Sequence, residues 1–229
     1  MKRRHFLLIA IGSAMFVFGA GAITAENMMS SRIASRVYEQ LPNATEVKVS
    51  IPLSNMPSDI ASDSIKSAQI DISQSSNDSA KVSPSLKISA RNITKAKPNL
   101  IGTLEVIATI PAATILKQAD FADAEIVGNT LQVSVGSGGL GRASLIPRYS
   151  NKQLYFELKS VFIFGSEIPA STLPADVQDQ IKSKSVRDLE IPKGMKVKSV
   201  SISSKGLSLK LYGSNIQIGN FDSIFKEEQ

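Results

Sequence analysis

Along much of this chain apolar and polar residues alternate one for one, the period of a strand with one face buried and the other wet. Val47, Val49 and Ile51 alternate with Lys48 and Ser50, and Leu86, Ile88 and Ala90 repeat the pattern. Leu104, Val106, Ala108 and Ile110 follow it, then Leu131, Val133 and Val135, then Leu154, Phe156 and Leu158. Val161-Phe162-Ile163-Phe164 breaks the alternation and is apolar on both faces. The clearest hairpin lies in residues 191–213, IPKGMKVKSVSISSKGLSLKLYG. Val197, Val200 and Ile202 lead there to a turn at Ser204-Lys205-Gly206, and Leu207, Leu209 and Leu211 continue beyond it. Gly206 supplies the positive φ that a short hairpin connection commonly uses. In all, the pattern predicts about eight or nine strands in a largely antiparallel sheet with one apolar face.

Three stretches carry helical spacing instead. Met29, Ile33, Val37 and Leu41 stand four apart in residues 26–41, which end at Pro42. This amphipathic helix either packs its stripe on the domain core or lies on a membrane surface. Pro111 opens a short helix with Ile115, Leu116 and Ala119 on its apolar face. Asp120 and Asp123 fit solvated charges at its end. Residues 173–187 form another, with Pro174 near its start and Val177 and Ile181 on one side. Lys182, Lys184 and Arg187 gather at its C-terminal end, where they complement the helix dipole. Contact with an anionic lipid headgroup is the other reading of the same charges.

Polar connections separate these elements. Residues 73–85, SQSSNDSAKVSPS, have little capacity to build core, and Asn99 to Gly102 reads as a turn. Gly136-Ser137-Gly138-Gly139-Leu140-Gly141 raises the idea of a phosphate cradle. No Lys-Ser/Thr pair and no helix signal follow it, so a hairpin connection fits better.

Residues 1–25 differ from everything after them. Lys2, Arg3 and Arg4 precede an uncharged apolar run from Phe6 to Ala25, long enough to cross a bilayer as a helix. The basic flank stays on the cytoplasmic side and sends the rest outside. Ala20-Gly21-Ala22 also fits a small-x-small cleavage site. The segment is therefore a signal-anchor or a signal peptide, and residues 26–229 are read as one domain.

Composition removes several chemistries. The chain has no Cys, and its one His is His5 in the basic cluster. Cysteine nucleophiles, Ser-His-Asp catalysis and His- or Cys-ligated metal sites are thereby excluded from the domain. Three of the net charges in +6 belong to Lys2, Arg3 and Arg4, so the rest is nearly balanced. That balance does not suit nucleic acid, which calls for a concentrated basic face. Asp and Glu remain for a carboxylate hydrolase, but no spaced acidic pair stands out.

The hairpin has a more particular arrangement than its alternation. Pro192, then Gly194, a V-x-S-V-x-I strand from Val197 to Ile202, the Lys205-Gly206 turn, and L-x-L-x-L-x-Gly from Leu207 to Gly213 resemble the C-terminal signature of the LmeA-type phospholipid-binding family. The resemblance covers about 25 residues closely and the rest in the order of elements, including a short helix after a proline. LmeA-type proteins tend to have an aromatic-proline element near the first strands. Ile51-Pro52-Leu53 is the nearest match here and lacks the aromatic. The family consists of actinobacterial envelope proteins whose fold resembles the tubular lipid-binding (TULIP) superfamily.

The resemblance implies an α+β domain with a curved, mostly antiparallel sheet wrapped around a helix, preceded by an N-terminal membrane helix. It implies no catalysis and no cofactor. Phospholipid or another acyl lipid, and the membrane itself, are the expected partners, on the extracytoplasmic side of the cell membrane. Family members are linked to lipoglycan elongation. The residues expected to line the apolar groove are Leu104, Val106, Ile110, Val133, Val135, Leu154, Phe156, Leu207 and Leu209. An envelope scaffold that binds a protein partner through a fully packed β-domain is the competing reading.

Overall fold

The alternating segments do form strands. The computed structural model describes residues 44–52, 64–74, 85–94, 100–118, 123–135, 141–189 and 191–217, together with Ser31, Ala34, Ser35, Val37 and Tyr38. In chain order come β1 (Ala44–Ser50), β2 (Ser64–Gln74), β3 (Ser85–Thr94), β4 (Leu100–Pro111) and helix α1 (Ala112–Gln118). Then follow β5 (Glu125–Val127), β6 (Thr130–Val135), β7 (Gly141–Ser150), β8 (Gln153–Ile163) and β9 (Ser166–Pro169). A 3₁₀ turn (Ala170–Thr172), helix α2 (Ala175–Ser185), β10 (Arg187–Asp188), β11 (Met195–Ser203) and β12 (Gly206–Gln217) complete them. The protein is thus β-rich α+β.

One sheet has the order β1-β2-β3-β4-β12-β11, the other β10-β8-β7-β6-β5, with β9 also on β8. The pairs β1–β2 and β2–β3 are antiparallel, as are β5–β6, β6–β7, β7–β8, β8–β9 and β8–β10. The chain divides into two compact units, and the division falls inside β4, β11 and β12.

The first unit holds β1 to β3, β4 as far as Ala108, the start of β11 and the end of β12. Its strands bury one side in the expected phase: Ile70 and Ile72, Leu86 and Ile88, Leu104 and Val106 are all shielded from water. Ser31, Ala34, Ser35, Val37 and Tyr38 are helical, within the predicted helix 26–41. Val37, on the predicted stripe, is completely buried. The Tyr38 hydroxyl accepts a hydrogen bond from the Val47 N–H at 3.2 Å, linking this helix to β1. Across β4 and β12, Lys210 Nζ pairs with Glu105 Oε1 at 2.7 Å.

The expected turn at Asn99 to Gly102 is corrected, because Leu100 to Gly102 already belong to β4. Leu100 N–H donates to Thr94 Oγ1 at 2.7 Å, holding the strand start. Gly102 serves close approach: a β-carbon there would come within 2.9 Å of Asn92 Cβ. Among the described residues no helix is long and apolar enough to cross a membrane. The predicted membrane segment, residues 1–25, lies outside the described residues, as do Met29, Ile33 and Leu41 and the loops 75–84 and 136–140.

The second unit holds Thr109–Glu190 and Ser199–Leu209. It therefore contains the second sheet, both helices α1 and α2, and short ends of β4, β11 and β12. Its centre is one apolar cluster including Leu131, Val133, Leu145, Leu158, Ile202 and Leu207.

Candidate functional site

The apolar face of the second sheet is set by β8. Leu154, Phe156 and Leu158 fall on one side by simple alternation. Ser144 of β7 then pairs with Ser160, whereas Leu145 pairs with Leu158, so Lys159 has no opposite residue. This bulge inserts one residue and shifts the phase of the strand. Val161 thereby joins Leu158 in the buried cluster although the two are three residues apart. The run that looks apolar on both faces in the sequence is the phase-shifted end of an ordinary strand.

The alternation does not announce β7, which carries Pro147 inside a paired strand. Proline offers no N–H to a sheet ladder. Its neighbour Phe156 explains the placement, since the Phe156 N–H donates to Ser185 Oγ of α2 at 2.9 Å. The backbone of Phe156 thus points away from β7, making Pro147 and Phe156 a non-hydrogen-bonded pair. No ladder bond is lost. The Ser185 hydroxyl also lies 2.9 Å from Lys182 O and 3.3 Å from Phe156 O, its two acceptors.

Beyond Phe156, β9 pairs with β8 at Ser160 to Ile163 and β10 pairs with it at Gln153 and Leu154. Helix α2 is tied to the preceding turn by Gln178, whose Nε2 donates to Ala170 O at 2.9 Å and Leu173 O at 3.3 Å. Lys182 places Nζ 4.7 Å from the centre of the Tyr155 ring. That contact adds a cation–π role to a lysine read from the sequence as a helix-end charge.

Around the buried cluster stands a second group of apolar side chains that are only half-buried. It includes Ile110, Val135, Leu154 and Phe156, together with Ile115 and Leu116 of α1, Leu173, Ile181 of α2, and Val200. Of the nine residues expected to line a groove, Val133 and Leu207 lie in the buried centre, and Ile110, Val135, Leu154 and Phe156 in the half-buried surround. Leu209 is buried in the same unit, while Leu104 and Val106 are buried in the first unit. The sequence lining set omits Ile115, Leu116 and Ile181, although their helical apolar faces are visible in the sequence. That those faces turn toward this sheet is tertiary information.

Gly206 sits at a close approach of backbone to backbone. The turn itself is Ser204-Lys205, and Gly206 is the first residue of β12. Its φ is +127°, and a β-carbon there would overlap the Ile110 carbonyl oxygen and sit 2.8 Å from Ala112 N. The glycine thus lets β12 pass beneath the junction of β4 and α1, beyond the turn role read from the sequence. Close by, Thr109 Oγ1 and Ser208 Oγ share a hydrogen bond of 3.2 Å.

Charges occupy the sheet away from this cluster. Arg148 pairs with Glu157 at 2.6 Å and Arg142 with Glu125 at 2.8 Å. Burial raises the Tyr149 hydroxyl above its ordinary pKa of 10.0. Among the described residues no group of three or more His, Cys, Asp or Glu is placed to hold a metal ion. Compared with models of known protein families, with curated proteins and with solved structures, the chain finds no match.

Proposed function

We propose that this protein binds, transfers or presents a phospholipid or a lipid-linked glycan precursor in the bacterial cell envelope, without catalysing a reaction. In this reading it is an LmeA-type, TULIP-like module held at the extracytoplasmic side of the membrane by residues 1–25. The observation that carries it is the half-buried apolar surround of the second sheet. Ile110, Val135, Leu154 and Phe156 rest on a sealed apolar floor and keep part of their own surface open. An acyl chain laid on such a surface gains about 0.8 kcal/mol per buried methylene. The buried Val37 and its neighbour Tyr38, bonded to β1, support a sheet that packs on a helix in the first unit.

Mass spectrometry of organic extracts from the purified chain beginning at residue 26, made in a lipid-containing host, tests this. The expected result is about one phospholipid per chain, lost in Phe156→Asp with circular dichroism unchanged. Phe156 is the informative position because Val133 belongs to the sealed floor, where Asp unfolds the unit. A clean extract that also takes up no added phospholipid removes the proposal and leaves a protein-binding scaffold.

A further inference from the structure

The two turns at the ends of β8 are built alike and furnished differently. At one end Ser150 pairs with Gln153 around Asn151-Lys152. At the other Ile163 pairs with Ser166 around Phe164-Gly165. All four central residues have positive φ, 52° and 60° in the first turn, 51° and 80° in the second. That is the pattern of a two-residue type I′ connection. Asn suits its first position, because a short polar side chain tolerates left-handed backbone. Phe164 has no such compensation, and the residue is 84% exposed. Ile163 beside it is 39% exposed. The tip therefore combines left-handed backbone at a bulky residue with a large apolar surface in water. Asn at position 164 would relieve both.

Strain and apolar exposure concentrated at one tip point to a contact that the isolated chain lacks. The chemistry of the tip selects the partner. Ser160 to Ser166, SVFIFGS, carries no charge, and the apolar groups project from a two-residue turn. The same chain carries the uncharged run Phe6 to Ala25 behind a basic cap, which suits a bilayer. We infer that Phe164 and Ile163 insert into the interfacial layer of a phospholipid bilayer and dock this end of the second unit on the membrane surface. Apolar side chains at a tip bury themselves at the boundary of headgroups and acyl chains. The inference rests on the reading that the protein works beside a membrane. It does not require a lipid held on the sheet.

The chain has no tryptophan, so a single introduced one is a unique fluorophore. Phe164→Trp and Asn151→Trp place it at the first position of the two matching turns. Each full-length variant is reconstituted into phosphatidylcholine–phosphatidylglycerol vesicles with and without brominated acyl chains. Emission from position 164 is expected to shift to the blue and to be quenched by bromine near the headgroup end. Emission from position 151 should stay water-like and unquenched. With the fluorophore moved to Ile163→Trp, adding Phe164→Asn should lower the docked-to-free ratio roughly tenfold. Equal behaviour at positions 151 and 164 overturns the inference. So does a shift at position 164 that follows protein concentration in lipid-free detergent, which assigns the tip to a second copy of the chain. Lipid in the organic extracts with a water-exposed position 164 removes the docking alone. A quenched position 164 with clean extracts and no uptake of added phospholipid removes the lipid-holding proposal alone.

Discussion

Gly206 lies so close beneath the carbonyl oxygen of Ile110 that no β-carbon fits between them. Gly206→Ala meets both a backbone conformation that disfavours L side chains and this steric overlap. The expected loss is on the order of 3 kcal/mol, seen as a lower midpoint in urea unfolding. A variant as stable as the parent would mean that β12 and the junction of β4 and α1 are not packed as described.

The bulge in β8 gives a sharper test. Deleting Lys159 restores unbroken alternation, and a shift of one residue turns every later side chain to the opposite face. Val161 or Leu158 must then leave the buried cluster. The deletion is expected to unfold the second unit, whereas Lys159→Ala, which keeps the extra residue, should change stability by less than about 0.5 kcal/mol. Equal stability of the two variants would remove the bulge from the account.

Ser185 supplies a side-chain partner to the backbone of a strand. Ser185→Ala leaves the Phe156 N–H without that acceptor and should cost about 1 kcal/mol. Amide exchange at Phe156 should quicken while exchange in β6 stays as it was. Unchanged exchange at Phe156 would show that the hydroxyl is not its acceptor.

Tyr149 makes stability fall at alkaline pH. Its pKa is raised above 10.0 by burial, so the folded chain holds the phenol proton more tightly than the unfolded chain does. That contribution is whole below pH 10.0 and is lost as pH rises through the raised folded value. Tyr149→Phe should flatten this part of the stability-versus-pH curve and remove one phenol ionising above pH 10.0 from an absorbance titration. An alkaline curve identical to the parent's would place the loss at another group.

Strands with strict alternation were legible because burial on one face writes itself directly into the residue order, as at Leu104 to Ile110 and Leu207 to Leu211. β7 was not, since Pro147 reads as a strand breaker until the direction of the Phe156 backbone is known. The end of β8 was half legible: Val161 to Phe164 is visibly apolar, but one unpaired residue decides which side chains face inward. The sequence shows Gly206 only as a turn glycine, because its contact with Ile110 depends on a segment nearly a hundred residues earlier in the chain. For the candidate site, the strand residues Ile110, Val135, Leu154 and Phe156 could be named from alternation. Their helical neighbours Ile115, Leu116 and Ile181 could not, because an apolar helix face does not say which sheet it will meet.

The outer side of β8 is met in three pieces: β9, the Ser185 hydroxyl and β10. At the far side of the same sheet β5 runs for only three residues. Neither border offers the long unpaired row of backbone groups on which a foreign strand could add and seed a fibril. The second sheet is thereby closed at both of its borders to the strand addition that would start polymerisation.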